Sequence, residues 1–209
     1  MKYTFVDIGC GNSNVSVDVY GLNVRGLLVD PIQEFCDILP TSNTVITECT
    51  AITDYDGVIE MNTWKIDTSI LQYYPIDVLK TTKHIQRLLE NGHRIYGGES
   101  ILKLHDGQVS RTVQCMKLET LFTKHNIDEV EQLKIDVEGY ENVLLLELVE
   151  LMRTNKFKVT ERLIFEYNDL SNKDELDVLT KLICDEFKFS AEFKKLGLNE
   201  DMILTKLKD

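Results

Sequence analysis

The 209-residue sequence predicts an α/β fold with a mostly parallel sheet covered by helices on both faces. Short apolar runs typical of buried strands alternate with segments of helical periodicity along most of the chain. A glycine-containing turn joins the first apolar run to the first helical segment. The length favours one domain over residues 1–209, and 43% hydrophobic residues are enough for a continuous core.

The first quarter of the chain shows the alternation most clearly. Its predicted elements are, in order, strand 3–7, helix 15–22, strand 26–30, helix 32–39 and strand 44–49. Pro31 favours a helix start directly after the second strand, because its fixed φ suits the first helical turn. The third strand is predicted from its β-branched residues. Together these elements predict a β-loop-α-β unit that continues into a further helix and strand.

The alternation resumes in the second half of the chain. The predicted elements there are helix 118–125, strand 132–136, helix 140–153 and strand 162–166. Between the two halves, residues 58–115 interrupt the pattern with a predicted helix over 77–90 and a hairpin around Asp106-Gly107, whose arms are 101–104 and 109–113. We expect this helix-plus-hairpin insertion to cover the acceptor side of a ligand crevice; a satellite core is an equally weighted alternative.

The charge balance restricts the partners of the protein. There are 23 Lys and Arg residues against 35 Asp and Glu residues, which gives a formal net charge of −12. A surface this negative repels phosphate backbones and anionic headgroups. We therefore expect neither nucleic acid nor a membrane as partner.

Cysteine usage indicates a reducing compartment. The five cysteines, at positions 10, 36, 49, 115 and 184, form no C-x-x-C motif and no close pair in the sequence. We expect reduced thiols, with neither a disulfide framework nor a zinc site. The first residues contain no apolar stretch long enough for a signal peptide, so a soluble, cytoplasmic protein is expected.

A glycine turn and an acid at the next strand end predict a nucleoside cofactor. Gly9-Cys10-Gly11 follows a strand and precedes a helix, which is where cofactor-binding glycine loops lie. Asp30 ends the second strand, where a carboxylate accepts hydrogen bonds from ribose hydroxyls. The alternative is a tight turn beside an Asp30 that caps a helix.

The spacing of the glycines distinguishes between cofactors. A dinucleotide fingerprint needs a third glycine three positions after Gly11, and Asn14 stands there, which disfavours a nicotinamide dehydrogenase. S-adenosylmethionine has no phosphate and suits a glycine turn beside an acid at the end of the first strand. Asp7 supplies that acid.

Four motifs stand out along the chain: residues 5–9 (FVDIG), 28–31 (LVDP), 51–54 (AITD) and 133–141 (LKIDVEGYE), of which the last is the most specific. Together they resemble the FkbM family of S-adenosylmethionine-dependent methyltransferases. Residues 118–121 (LETL) and 164–168 (IFEYN) are similar to two further family motifs, so the likeness runs from about residue 3 to residue 170. The chain departs from the pattern at Asn168, where the family often has His, and at Glu119, where it has Asp.

The resemblance implies a class I methyltransferase fold, Rossmann-like, with a seven-stranded sheet. It also implies transfer of a methyl group from S-adenosylmethionine to oxygen, commonly a hydroxyl of a sugar in a glycan or glycoconjugate, with a small non-sugar natural product as an alternative acceptor. The expected cofactor-binding residues are Asp7, Gly9, Cys10, Gly11, Asn12, Asp30, Pro31, Thr50, Ala51 and Asp136. Thr50 and Ala51 are expected near the adenine.

The chemistry of such a transfer points to residues at the ends of the later strands. A sugar hydroxyl is a poor nucleophile at neutral pH and needs alignment and a proton acceptor. Asp136 is the first candidate for positioning the methyl group or serving as the base, and Glu138 and Glu166 could do the same. Lys134 is expected to stabilise a developing alkoxide or to neutralise the carboxylates. For Lys134, Glu138 and Glu166, a structural ion pair is the alternative.

Two further alternatives remain open from the sequence. Oxygen ligands for magnesium or calcium are offered by Asp136, Glu166 and Asn168. Their spacing in the sequence does not specify six ligands in octahedral geometry, so no metal site is predicted. Because Asn168 departs from the family pattern, the chain could also be a non-catalytic binding or scaffold subunit of the same fold.

Overall fold

The computed structural model describes residues 1–11, 15–64, 108–196 and 199–208. The strands in these residues are β1 (Lys2–Ile8), β2 (Gly26–Asp30), β3 (Val45–Cys49), β4 (Ala51–Ile52), β5 (Gly57–Trp64), β6 (Gln108–Met116), β7 (Glu129–Ile135), β8 (Lys158–Glu166), β9 (Phe189–Leu196) and β10 (Asn199–Lys206). The helices are α1 (Val15–Tyr20), α2 (Gln33–Cys36), α3 (Leu118–Lys124), α4 (Glu141–Arg153) and α5 (Lys173–Phe187).

The main sheet has seven strands in the order β3-β2-β1-β7-β8-β10-β9. The first five are parallel, and β10 runs antiparallel to both β8 and β9. The predicted fold class, α/β with a mostly parallel seven-stranded sheet, is therefore confirmed. The chain builds outward from β1 in one direction and from β7 in the other, so a switch point lies between β1 and β7. In open α/β sheets the carboxyl ends at such a point form the ligand crevice.

Successive residues of the central strands face opposite layers of helices. Val6 and Leu27 belong to a core cluster with residues of α3, α4 and α5, whereas Phe5 and Leu28 belong to a second cluster with Val17 of α1. The side chains of a strand alternate between its two faces, so both faces are covered. This explains why the central strands are continuous apolar runs.

A second sheet of three strands, in the order β4-β6-β5, stands beside the main one. β5 pairs antiparallel with β6 from Gly57↔Cys115 to Trp64↔Gln108, and β4 pairs parallel with β6. The predicted hairpin arm 109–113 lies within β6, whose described partners are these two strands. The other arm (101–104) and the predicted helix 77–90 lie outside the described residues. The predicted insertion 58–115 thus begins and ends in paired strands.

Several stretches differ from the sequence-based expectations. The helix predicted over 32–39 is only the single turn α2, and Pro40 disfavours helical conformation at Leu39, the last residue of that prediction. The sequence analysis did not assign β4, β5, α5, β9 and β10. Asn172 caps the start of α5 by accepting a hydrogen bond from the Glu175 amide, and Lys188 ends the helix in the left-handed conformation. None of the helices in the described ranges is both long and apolar enough to cross a membrane.

Candidate active site

The glycine turn after β1 packs directly against the loop that follows β7. Gly9 has φ +74°, and a Cβ on it would lie 1.7 Å from the backbone oxygen of Asp136. Its amide donates to the carbonyl of Val29 (2.8 Å). Gly11 has φ +59°, but no atom of the described residues lies within 4 Å of the position of its missing Cβ. Gly9 is therefore required by the fold itself, and Gly11 leaves open space where a ligand can approach.

Asp30 organises this turn from the end of β2. Its Oδ2 accepts from the Gly11 amide (2.8 Å) and its Oδ1 from the Ile32 amide (2.9 Å). Burial raises the pKa of this carboxyl to about 7. These contacts match the tight-turn part of the alternative, but Asp30 does not cap α2, whose N-cap Ile32 has no side-chain capping hydrogen bond. A carboxylate oxygen can accept a second hydrogen bond, so they are also compatible with the predicted ribose contact.

Asp7, Lys134 and Asp136 form a chain of charges across the switch point. Asp7 is 2% exposed, and its Oδ2 accepts from the hydroxyl of Ser16 (2.5 Å). Its Oδ1 lies 3.7 Å from Lys134 Nζ and accepts no hydrogen bond from the described residues. Lys134 Nζ donates to Asp136 Oδ2 (2.8 Å). Of the two roles predicted for Lys134, the neutralisation of carboxylates is the one that this geometry displays.

The same charges determine the protonation of Lys134 and Asp7. Burial lowers the pKa of Lys134, but the carboxylates of Asp7 and Asp136 outweigh it and raise the pKa above its usual range. Burial raises the pKa of Asp7, and Lys134 opposes that rise. A charged lysine thus holds two carboxylates at the mouth of the crevice.

Asp136, Glu138 and Glu166 come together beyond Lys134. One oxygen from each lies within 4.8 Å of the others. Burial, followed by the charges of Asp136 and Glu138, raises the pKa of Glu166 to about 9. Oε2 of Glu166 is buried and has no hydrogen-bond partner in the described ranges. Such a group can take a proton or, with its two neighbours, contact a cation.

Asn168, named in the sequence analysis as a possible oxygen ligand, lies beside the cluster. Its Oδ1 accepts from the Leu170 amide (2.8 Å), and its side chain hydrogen-bonds Glu166. Glu138 is the third carboxylate of the cluster. Glu138 reaches the cluster because the backbone reverses direction there, with φ +56° at Glu138 and +105° at Gly139. Apolar periodicity in the sequence does not reveal such a reversal.

The raised pKa of Glu166 predicts a pH-dependent stability. The folded chain holds this proton at pH values where the unfolded chain has lost it, so this group stabilises the fold at acidic pH. That contribution disappears as pH rises from about 4.5 to about 9. We expect Glu166→Gln to raise the unfolding midpoint at pH 8 by about 3 °C and to have little effect at pH 4.5. Glu161→Gln, at an exposed position of the same strand, is the control for thermal unfolding. An equal change at both pH values would contradict the assignment.

Glu141 is a buried carboxylate to which the sequence analysis assigned no role. It is 0% exposed and accepts from the amides of Val137 (2.8 Å) and Gly139 (3.0 Å) and from the hydroxyl of Ser171. Burial raises its pKa. The signal that could have found it is an acid at a helix start just after a glycine, where a carboxylate can bind backbone amides.

The residues expected near adenine lie beside Asp30. The Thr50 amide donates to the carbonyl of Asp30 (3.0 Å), and Ala51 begins β4, next to β6. Pro31 directly follows Asp30, Cys10 is buried in the glycine turn, and Asn12 lies outside the described residues.

The thiols of Cys36 and Cys49 meet beside Asp30. Their side chains share a hydrogen bond, although the spacing in the sequence indicated no close pair. The Cys36 thiol also donates to the Asp30 carbonyl (3.2 Å). All five cysteines are free thiols.

Comparison with known proteins gives one family match. The model of the family described as "Methyltransferase FkbM domain" matches residues 20–188. None of the curated proteins matches the sequence. Among solved structures, an rRNA methylase from Streptococcus thermophilus is similar over 99% of this chain and 88% of its own, with 15% sequence identity and a TM-score of 0.41. A structural likeness this low supports no conclusion about activity or substrate.

Proposed function

The chain belongs to the FkbM methyltransferase family, and we propose that it transfers a methyl group from S-adenosylmethionine to a hydroxyl of a sugar in a glycan or glycoconjugate. The observation that carries this proposal is the crevice at the switch point. It has a glycine turn with an open face on one side and three clustered carboxylates on the other. The first side suits a donor, and the second suits an acceptor that must lose a proton.

The residues of the glycine side fit the donor. S-adenosylmethionine supplies, when bound, a methyl group on a positively charged sulfur, and it also has an ammonium group and a ribose. Oδ1 of Asp7 is buried and without a hydrogen-bond donor in the described part of the chain, so it can accept from an ammonium. Gly11 leaves its surroundings open, and Asp30 lies beside it for the ribose. Thr50 and Ala51 are the proposed neighbours of the adenine.

The carboxylate side supplies the proton acceptor. Asp136 accepts a hydrogen bond from Lys134 (2.8 Å), which fixes its side chain and fits it to position the reacting groups. Glu166 has a pKa raised to about 9, so it holds a proton at neutral pH, and its ionised form, the minor one there, is a strong base for a carboxylate. We therefore assign proton acceptance to Glu166 and positioning to Asp136, with Glu138 completing the cluster.

The charge of the protein supports an uncharged acceptor. With a net charge of −12 and clustered carboxylates beside the crevice, a phosphorylated acceptor would be repelled. A neutral sugar hydroxyl meets no such barrier, and neither does a small neutral natural product. The free thiols favour the cytoplasm as the location.

The test is the transfer of tritium from methyl-labelled S-adenosylmethionine to a pool of neutral oligosaccharides. We expect label in the pool with the parent protein and a rate about 100-fold lower with Asp136→Asn. Mass spectrometry of the pool identifies the methylated hydroxyl. Binding of the donor without any transfer would instead indicate a binding subunit, and transfer only to non-sugar hydroxyl compounds would indicate a natural-product acceptor.

Donor affinity gives a separate prediction about Asp30. We expect Asp30→Ala to bind S-adenosylmethionine about 10- to 100-fold more weakly, because hydrogen bonds to a charged group are lost. Isothermal titration calorimetry measures this, with Asp37→Ala, an exposed acid just after α2, as the control. Thermal unfolding must show that both variants are folded at the titration temperature. Unchanged affinity in a folded Asp30→Ala protein would remove the ribose contact.

A further inference from the structure

We propose that Glu141 is a positioning residue that holds the loops after β7 and β8 together, so that their acids face one acceptor. The inference rests on the proposed function, because it concerns the acids that would handle the acceptor. Glu141 itself lies beneath these loops and would touch neither donor nor acceptor, since its side chain is 0% exposed.

The carboxylate of Glu141 is the centre around which the first loop folds. Its Oε1 accepts from the Val137 amide (2.8 Å), and its Oε2 accepts from the Gly139 amide (3.0 Å). These two donors flank Glu138, whose φ of +56° is unfavourable for a residue with a side chain. The two hydrogen bonds therefore maintain a backbone conformation that would otherwise relax.

Glu141 also reaches the second loop. Its Oε2 accepts from the hydroxyl of Ser171, which lies between β8 and α5, three residues after Asn168. One side chain thus connects the segment that follows Asp136 with the segment that follows Glu166. Where Glu166 is ionised, its repulsion with Asp136 and Glu138 would push these segments apart, and the bonds to Glu141 oppose that movement.

The donors that surround Glu141 require a carboxylate. Two amides and one hydroxyl all point at it, and it forms no ion pair with any Lys or Arg of the described residues. A glutamine of the same shape would turn an N–H group towards at least one of these donors. A buried charge without a cationic partner is unfavourable, so a side chain needed only for packing would be apolar here.

A matched control lies on the same helix. Glu147 is a half-buried carboxylate that accepts from the amides of Leu118 (3.3 Å) and Glu119 (3.0 Å), at the start of α3. It performs the same kind of backbone binding away from the crevice. Glu141→Gln and Glu147→Gln therefore make equal chemical changes, and only the first acts on the loops that carry the acids.

The experiment combines three measurements on both variants in the full chain. Hydrogen exchange should show the Val137 and Gly139 amides exchanging at least about tenfold faster in Glu141→Gln, with β1 and β7 unchanged. Affinity for S-adenosylmethionine should stay within about twofold of the parent, because the donor side is not altered. Tritium transfer to the oligosaccharide pool at saturating donor should fall about 10- to 100-fold. Glu147→Gln should accelerate exchange at Leu118 and Glu119 and leave transfer within about twofold.

The outcomes separate this inference from the proposed function. If the parent transfers label and Glu141→Gln transfers it as fast as Glu147→Gln, Glu141 has no positioning role. Unchanged exchange at Val137 and Gly139 would overturn the inference as well, whatever the activity. If the parent protein transfers no label at all, the proposed function fails, and the positioning role fails with it, even where exchange shows that Glu141 holds the loop.

Discussion

Gly9→Ala is expected to destabilise the protein by more than about 4 kcal/mol, enough to prevent folding of a marginally stable chain. The added Cβ would lie 1.7 Å from the backbone oxygen of Asp136. A backbone atom cannot rotate away as a side chain can, so the turn and the loop after β7 must separate. The φ of +74° adds about 1 kcal/mol of strain for any residue other than glycine.

Gly11→Ala is the matched control for this effect. Its φ of +59° also lies in the left-handed region, but the part of the chain that the structure describes places no atom within 4 Å of the new Cβ. We expect a loss of only about 1 kcal/mol, which lowers the unfolding midpoint by about 3 °C. Circular dichroism melts of the two variants measure the difference. If both variants lose the same stability, the contact between Gly9 and the Asp136 loop is not what fixes the turn.

The parallel strands of the fold could be predicted from the sequence, and the pairings of the second sheet could not. The strand predicted over 26–30 is β2 without any shift, because a strand buried on both faces is a continuous apolar run. β4 has only two residues and pairs with the end of β6, at Ala51↔Cys115. Such a pairing depends on distant residues, and no local pattern records it. The same holds for β10, because its assignment as a strand depends on its antiparallel pairing with β8.

In the candidate site, the positions of some residues could be predicted from the sequence, but their contacts could not. Asp7, Asp30 and Glu166 could be located because each ends a predicted strand, and the ends of parallel strands share one edge of the sheet. The contacts of each side chain could not be predicted. The position of Glu138 depends on a positive φ, and that of Glu141 depends on amides that become available only after the loop has folded. Hydrogen-bond partners of this kind are properties of the folded backbone.

Lys134→Met should have the second large effect on stability. Lys134 is the cation between Asp7 Oδ1 (3.7 Å) and Asp136 Oδ2 (2.8 Å), and its side chain is 23% exposed. Removing one partner of a buried pair leaves the remaining charges uncompensated, which destabilises a protein by about 3 kcal/mol. For a chain of this length we expect the unfolding midpoint at pH 8 to fall by about 9 °C. Met keeps most of the apolar stem, so the packing of that stem is largely retained.

The pH dependence of this loss identifies its cause. Burial raises the pKa of Asp7 and Lys134 lowers it, so without Lys134 the folded-state pKa rises further. An acid with a raised pKa loses stability as pH increases, and the deficit of the variant should therefore grow from about pH 4 to pH 8. Lys156→Met is the control, because its ion pair with Glu119 is 57% and 48% exposed and contributes little at any pH. A deficit that is equal at both pH values would mean that Lys134 acts through packing, and its charge would then have no part in holding the two carboxylates at the crevice.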